Sequence, residues 1–335
     1  MFVNDGHFPI ALAWAPDGRL FFAERAGTIK TDADGRVRVF AKVSTVTTQP
    51  GGGSSERGLL GLTLSPDFAA DHYVYALYST PDYQHTLVAR WMDCDGVGVD
   101  ETTLITLPAG PDCCHKGGRL AFGPDGKLYV SIGDEHSVPP PPAGPTPPNP
   151  QNTADPRGKI LRYNPDGSVP PDNPFGPADP VWVAGLRNPF GIAFGPEGQL
   201  FVTNNGPTGE AGSPPTGYDT ALIVSAGSIY QWPYCFGYSH PIRPYTSCRG
   251  RPPPAWSSET MTVVPTGATS VDDQGPAPFA GHFVFCSEEG GMLVYTPGSP
   301  HATVTKGAAQ CQFDVKQGPD NALYFTDETK IYRLD

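Results

Sequence analysis

The 335-residue chain has no apolar run approaching the roughly 18 residues of a membrane-spanning helix. Nor does any long stretch keep a helical period of apolar positions without a Pro or Gly breaking it, which argues against an α-rich fold. Basic residues are scarce: Lys+Arg number 22 against 34 Asp+Glu, a net charge of −12 with no basic block. Phosphate backbones and anionic membranes are poor partners for such a chain, so nucleic acid is set aside. The seven cysteines include no CxxC pair, so spacing points to no zinc site. The opening Met1-Phe2-Val3-Asn4-Asp5 has neither a charged n-region nor an apolar h-region. If the protein is secreted, its leader is absent from this sequence.

What the chain does have is glycine and proline, 40 of each, roughly a quarter of all positions and about twice ordinary usage. Disorder is nevertheless excluded by a 38% hydrophobic and 11% aromatic content arranged in patterned runs. Five segments repeat one pattern: 10–25, 59–79, 118–134, 191–206 and 313–327. Each places an apolar strand, a Pro-Asp/Glu turn, and then an alternating strand with aromatics on one face. Proline presets one dihedral of the turn and glycine supplies positive φ, which is hairpin chemistry. The turn prolines are Pro16, Pro66, Pro124, Pro196 and Pro319. The last gap accommodates two units, and a degenerate one, 282–298, is expected to fill it. Six units of this kind predict an all-β, six-bladed β-propeller of four-stranded antiparallel blades, a single domain over 1–335. Both ends read as strands, so the termini are expected to pair within one blade. The Pro-rich insertion at about 136–150 is expected to be a polyproline-like surface loop.

Cysteine spacing suggests two loop staples, Cys235–Cys248 and Cys286–Cys311, and favours an oxidising, secreted or periplasmic setting. Adjacent Cys113 and Cys114 close on each other, stay as two ordinary thiols, or leave one bonded to Cys94. A propeller carries its function on the loops at one mouth of its channel, and four groups fall there. Asp112-Cys113-Cys114-His115-Lys116-Gly117 offers His115 as a general base or as a solvated turn histidine. Gly133-Asp134-Glu135-His136 offers Asp134 as the carboxylate orienting that histidine or as a turn cap. In Gly185-Leu186-Arg187-Asn188-Pro189, Arg187 is a planar fork for oxygens or an inter-blade ion pair. Asn204-Asn205-Gly206-Pro207, with Tyr218-Asp219 following, suits an oxygen-seeking cation or a plain turn.

In this order and spacing, the groups resemble the soluble glucose/sorbosone dehydrogenase family, the aldose sugar dehydrogenases. Glu56-Arg57-Gly58-Leu59-Leu60-Gly61, Ser65-Pro66-Asp67-Phe68, Gly158-Lys159-Ile160-Leu161-Arg162 and Asp172-Asn173-Pro174-Phe175 extend the resemblance over most of the chain. It implies a six-bladed propeller that binds pyrroloquinoline quinone (PQQ) and calcium and oxidises an aldose to its lactone. By position, His115 matches the base that takes the sugar hydroxyl proton, Asp134 its supporting carboxylate, and Arg187 and Asn188 the pair holding the quinone oxygens. The carbonyls of Gly206 and Pro207 match calcium ligands, and Asp219 and Tyr230 fall near a second calcium site.

The chain departs from that pattern where the quinone's carboxylates need cations. Ser287-Glu288-Glu289-Gly290-Gly291 presents acids in place of a lysine, and Cys311-Gln312-Phe313-Asp314 stands where arginines are expected. Glu56 replaces a common glutamine, and between Val284 and Val315 the only Lys or Arg is Lys306. Three functions follow as expectations. They are a PQQ-dependent sugar dehydrogenase, a cofactor-less extracellular module that binds a glycan, a protein partner or itself, and a calcium-dependent lactonase-like hydrolase with Glu56, Asp134 and Asn205 around one metal.

Overall fold

A computed structural model describes residues 2–4, 6–137, 148–296 and 308–335. Six antiparallel sheets follow one another along the chain, at 9–42, 59–108, 120–184, 188–257, 265–295 and 315–334, and form the blades of a β-propeller. The first four have four strands. Blades five and six have three named strands each, and Val3 bridges Ile331 of blade six, so the N-terminal segment closes the ring as the strand-like termini imply. Among the described residues the only helical pieces are the four-residue helix Phe68–Asp71 and two short 3₁₀ turns.

The repeat pattern maps onto the blades with one offset. In five blades the first strand ends two residues before the turn proline: at Trp14, Leu64, Phe122, Phe194 and Gln317. At three of these turns the following aspartate accepts the backbone N–H two residues on, as Asp17 does from Arg19 at 3.1 Å, Asp125 from Lys127 at 3.1 Å and Asp320 from Ala322 at 3.3 Å. The fifth blade differs. The segment 282–298 holds its second and third strands, Phe283–Ser287 and Met292–Tyr295, and the first strand is Pro265–Ser270, which lacks the proline signature. Of the Pro-rich insertion, 138–147 lie outside the described residues.

The first strands of neighbouring blades pack against one another around the channel. Side chains stitch them together: Thr203 donates to the Thr266 carbonyl at 2.7 Å, Thr266 to that of Gln312 at 2.7 Å, and Leu12 N–H to Asp314 at 2.9 Å. Arg119 lies buried among them, donating to the carbonyls of Leu60 and Phe313 with its guanidinium 4.7 Å from the Phe190 ring centre. These contacts fix the relative height of the blades, and hence of the loops at their ends. The proline turns lie at one mouth, around a cavity of about 390 Å³ that Trp14, Pro16, Phe122 and Lys316 help to line. The loops that precede the first strands lie at the other.

Candidate active site

The second, upper mouth holds a cavity of about 120 Å³ whose lining includes Phe8, Arg25, Glu56, Asn188, Asn205 and Glu288. Two loops of blade three are zipped together beside it. Asp112 meets His136 at 2.8 Å, His115 meets Asp134 at 2.6 Å, and Lys116 meets Glu135 at 2.9 Å. The neighbours His115 and Lys116 thus pair with the neighbours Asp134 and Glu135, and Asp112 pairs with His136 beside them. The close approach depends on Gly133, where a Cβ would stand 2.0 Å from the His115 carbonyl oxygen. His115, Glu135 and His136 all adopt positive φ (54°, 53° and 54°), a conformation that costs a non-glycine residue and is found where a site fixes it.

Within this zip His115 and Asp134 are buried, 5% and 1% exposed. Asp134 Oδ1 faces His115 Nδ1, and Oδ2 accepts the indole N–H of Trp232 at 2.7 Å. Burial pushes the Asp134 carboxyl up, but the hydrogen bond and charge of His115, the charge of Arg187 and the Trp232 indole outweigh it and hold the pKa below the ordinary value. A carboxylate only accepts, so the His115 proton sits on Nδ1 and the Nε2 lone pair is left to take one. His136 lies edge-on to His115, ring centres 3.9 Å apart.

Blade four completes the cluster. The Arg187 carbonyl accepts the Asp134 N–H at 2.6 Å, and Asn204 Oδ1 accepts the N–H groups of both Arg187 and Asn188 at 3.0 Å. Asn188 receives the Gly117 N–H at 3.0 Å and donates to Asn205 at 2.8 Å and to Glu56 at 3.3 Å. His115, Asp134, Arg187, Asn188 and Glu56 therefore converge at one mouth, in one hydrogen-bonded chain. The Arg187 guanidinium is already engaged: it pairs with Glu210, donates to Thr208 at 2.8 Å and lies 5.7 Å from the Trp232 ring centre.

The remaining predicted residues are placed otherwise. Asp219 accepts the N–H groups of Gly206, Val263 and Val264 at 2.8, 2.8 and 3.0 Å. Three of its four lone pairs accept backbone N–H groups, so it anchors the loops around it. Tyr230 is a core residue whose hydroxyl donates to the Ile223 carbonyl at 3.1 Å. Gly206 and Pro207 help to line a small cavity of about 40 Å³ beside Arg187 and Trp232. The trio for a hydrolase metal is not gathered: Glu56 and Asn205 line the mouth, whereas Asp134 faces His115 and Trp232.

Trp232, Glu210 and the Lys116–Glu135 pair are absent from the sequence reading. The Trp-Pro-Tyr-Cys run was the available signal for Trp232, because the Cys235–Cys248 disulfide staples the loop that presents it. Disulfides also join Cys113 to Cys114 and Cys286 to Cys311, and Cys94 is free and exposed.

The other side of the mouth is acidic. Burial raises the Glu288 carboxyl above the ordinary glutamate value and the charges of Glu56 and Glu289 add to it, with Arg25 offsetting them. Arg25 itself is turned to the carbonyls of Arg57 and Thr47, at 2.9 and 3.3 Å. Lys306 lies outside the described residues.

Comparison with known proteins agrees with this architecture. A protein of Synechocystis, itself uncharacterised, is 32% identical over 99% of this chain and 85% of its own length. Quinoprotein glucose dehydrogenase B of Acinetobacter calcoaceticus is 32% identical over 69% of this chain, which spans about half (51%) of that protein. The PQQ-bound aldose sugar dehydrogenase of Streptomyces coelicolor superposes with a TM-score of 0.77 at 25% identity, covering 100% of this chain and 96% of that one. The family model described as "Glucose / Sorbosone dehydrogenase" matches residues 7–333, and the chain belongs to that family.

Proposed function

We propose that the protein is a sugar dehydrogenase that oxidises the anomeric carbon of an aldose to the lactone at the upper mouth, with His115 as the general base. The oxidation removes a hydroxyl proton and a hydride, and this chain's residues provide for the proton. The observation that carries the reading is the buried relay of Trp232, Asp134 and His115, linked at 2.7 and 2.6 Å. It fixes the tautomer and ring plane of the base before substrate arrives, so no reorganisation is needed at the moment of transfer. The three disulfides suit a secreted or periplasmic protein.

PQQ, which the Streptomyces relative binds, is a tricarboxylate, and the described residues do not fit it. The cavity lining carries Glu56 and Glu288 against Arg25 alone, and Arg187 is spent on Glu210. For calcium, the Gly206 and Pro207 carbonyls are two oxygens toward the roughly six to eight the ion takes. The hydride goes to a two-electron acceptor at the same mouth. The acidic lining favours a second reading, a propeller that binds a sugar or glycan without oxidising it.

The test is aldose-dependent reduction of a dye acceptor over a panel of aldoses, by wild type and His115→Ala. A loss of about a hundredfold or more in kcat at unchanged melting temperature supports His115 as base; equal rates remove it. Sugar binding by titration, with no dye reduction by wild type, selects the second reading.

A further inference from the structure

We infer that the upper mouth is closed to a tricarboxylated quinone by charge and not by shape, and that Glu56 and Glu288 are the residues that close it. This goes beyond the dehydrogenase reading and rests on it only in taking the upper mouth as the place where a redox group would sit.

Behind the cavity, the Arg119 cation is 5% exposed and given to the carbonyls of Leu60 and Phe313. On the blade-three side Lys116 is 3% exposed and turned to Glu135 at 2.9 Å, so its charge is spent inside the fold. Arg57 is fully buried and donates to the carbonyls of Gly110 and Asp112. Arg187 is 2% exposed and held by Glu210, whose carboxyl burial raises but whose pKa the Arg187 charge brings below the ordinary value. Arg25 alone lines the cavity as a cation, facing Glu56 and Glu288, with Glu328 near enough to act on it as well. Glu56 accepts the Lys116 N–H at 3.2 Å and the Asn188 amide N–H at 3.3 Å, which hold its carboxylate at the mouth.

A ligand bearing several carboxylates would bring them beside the Glu56 and Glu288 carboxylates at distances shorter than the screening length of the solution. Like charges so juxtaposed cost a ligand a large share of its affinity, and the cost is specific to charge: an uncharged ring system of the same outline would not meet it. The rest of the mouth has what a flat ring needs. Phe8 and Phe313 line it with ring centres 4.6 Å apart, and the Asn188 and Asn205 amides stand beside them.

The experiment titrates wild type, Glu288→Lys and the double variant Glu56→Gln/Glu288→Lys with PQQ in saturating calcium. Binding is read from tryptophan quenching and from quinone retained by the protein after ultrafiltration. Wild type should show no saturable binding, and the double variant should bind at least about a hundredfold more tightly, the gain shrinking in high salt. Saturable, stoichiometric binding of PQQ by wild type would overturn the inference. So would a folded double variant that binds no better than wild type, since shape would then be the barrier. Should the lysine variant melt early, Glu288→Gln removes the charge without adding one and should recover part of the gain. Sugar titration of the same wild-type sample without quinone keeps the tests apart: failure to bind sugar counts against the dehydrogenase reading and leaves the charge result standing.

Discussion

The two sides of the upper mouth are built on opposite plans. On the side of blades three and four, each charged group has a partner within the fold: His115 with Asp134, Lys116 with Glu135, Arg187 with Glu210. On the side of blades one, five and six, Glu288 and Glu328 stand exposed and Glu56 half-buried, with Arg25 the cation among them. The first side is rigid because no member can be removed without stranding a buried charge. The second can change sign at small cost, because water still reaches its carboxylates. The proposed proton relay is thus locked into the fold of this chain, while the charge opposite it is open to change.

The largest test of that contrast is Glu135→Ala. It leaves Lys116, 3% exposed, without its carboxylate, and removal of one partner of a buried pair costs about 3–5 kcal/mol. Equilibrium urea unfolding should show that loss. A cost near that of an exposed pair would mean that the zipped side is no more rigid than the acidic one.

Trp232→Phe is a narrower cut. It keeps an aromatic ring behind Asp134 but withdraws the N–H donated to Oδ2, so a buried carboxylate loses one of its hydrogen bonds, a loss of about 1–3 kcal/mol. With the indole gone, less holds the Asp134 pKa down, and an NMR titration should show the Asp134 carboxylate taking its proton at a higher pH than in wild type. A melting temperature and titration both like wild type would remove Trp232 from the relay.

The fold and much of the site could be read in the sequence, and the gaps have physical causes. Five turn prolines sit at one offset from their first strands because proline and glycine dictate local geometry that no distant contact overrides. Blade five was legible only through its second and third strands, since two residues after its first strand, Pro265–Ser270, stands Asp272 in place of the turn proline. His115, Asp134, Arg187 and Asn188 were legible as polar residues bracketing strands. Trp232 was not, because it acts on a residue 98 positions away through a loop whose course only folding sets. Asp219 and Tyr230 fall near a second calcium site only by the family resemblance; what the sequence could not show is that the Asp219 carboxylate accepts backbone amides and the Tyr230 hydroxyl donates to a backbone carbonyl.

The smallest effect expected is on the acidic side, and its sign is the informative part. Burial and the neighbouring charges of Glu56 and Glu289 raise the folded-state pKa of Glu288 above its unfolded value. The native state therefore holds the Glu288 proton more tightly than the unfolded chain does. Its contribution to stability is fully present below the unfolded pKa, about 4.3 for glutamate, and is lost as pH rises through the folded value. At pH 7 the ionised carboxylate is a net cost, so Glu288→Gln should raise the melting temperature, by the equivalent of at most about 1 kcal/mol because part of the side chain still faces water. Lowering the pH below the glutamate range should shrink the gain, as the wild-type group becomes neutral in both states, and high salt at pH 7 should shrink it too. Thermal melts at two pH values and two salt concentrations read all of this. A Glu288→Gln variant no more stable than wild type at pH 7 would mean that the carboxylates around the mouth do not strain one another, and that the two sides differ in exposure alone.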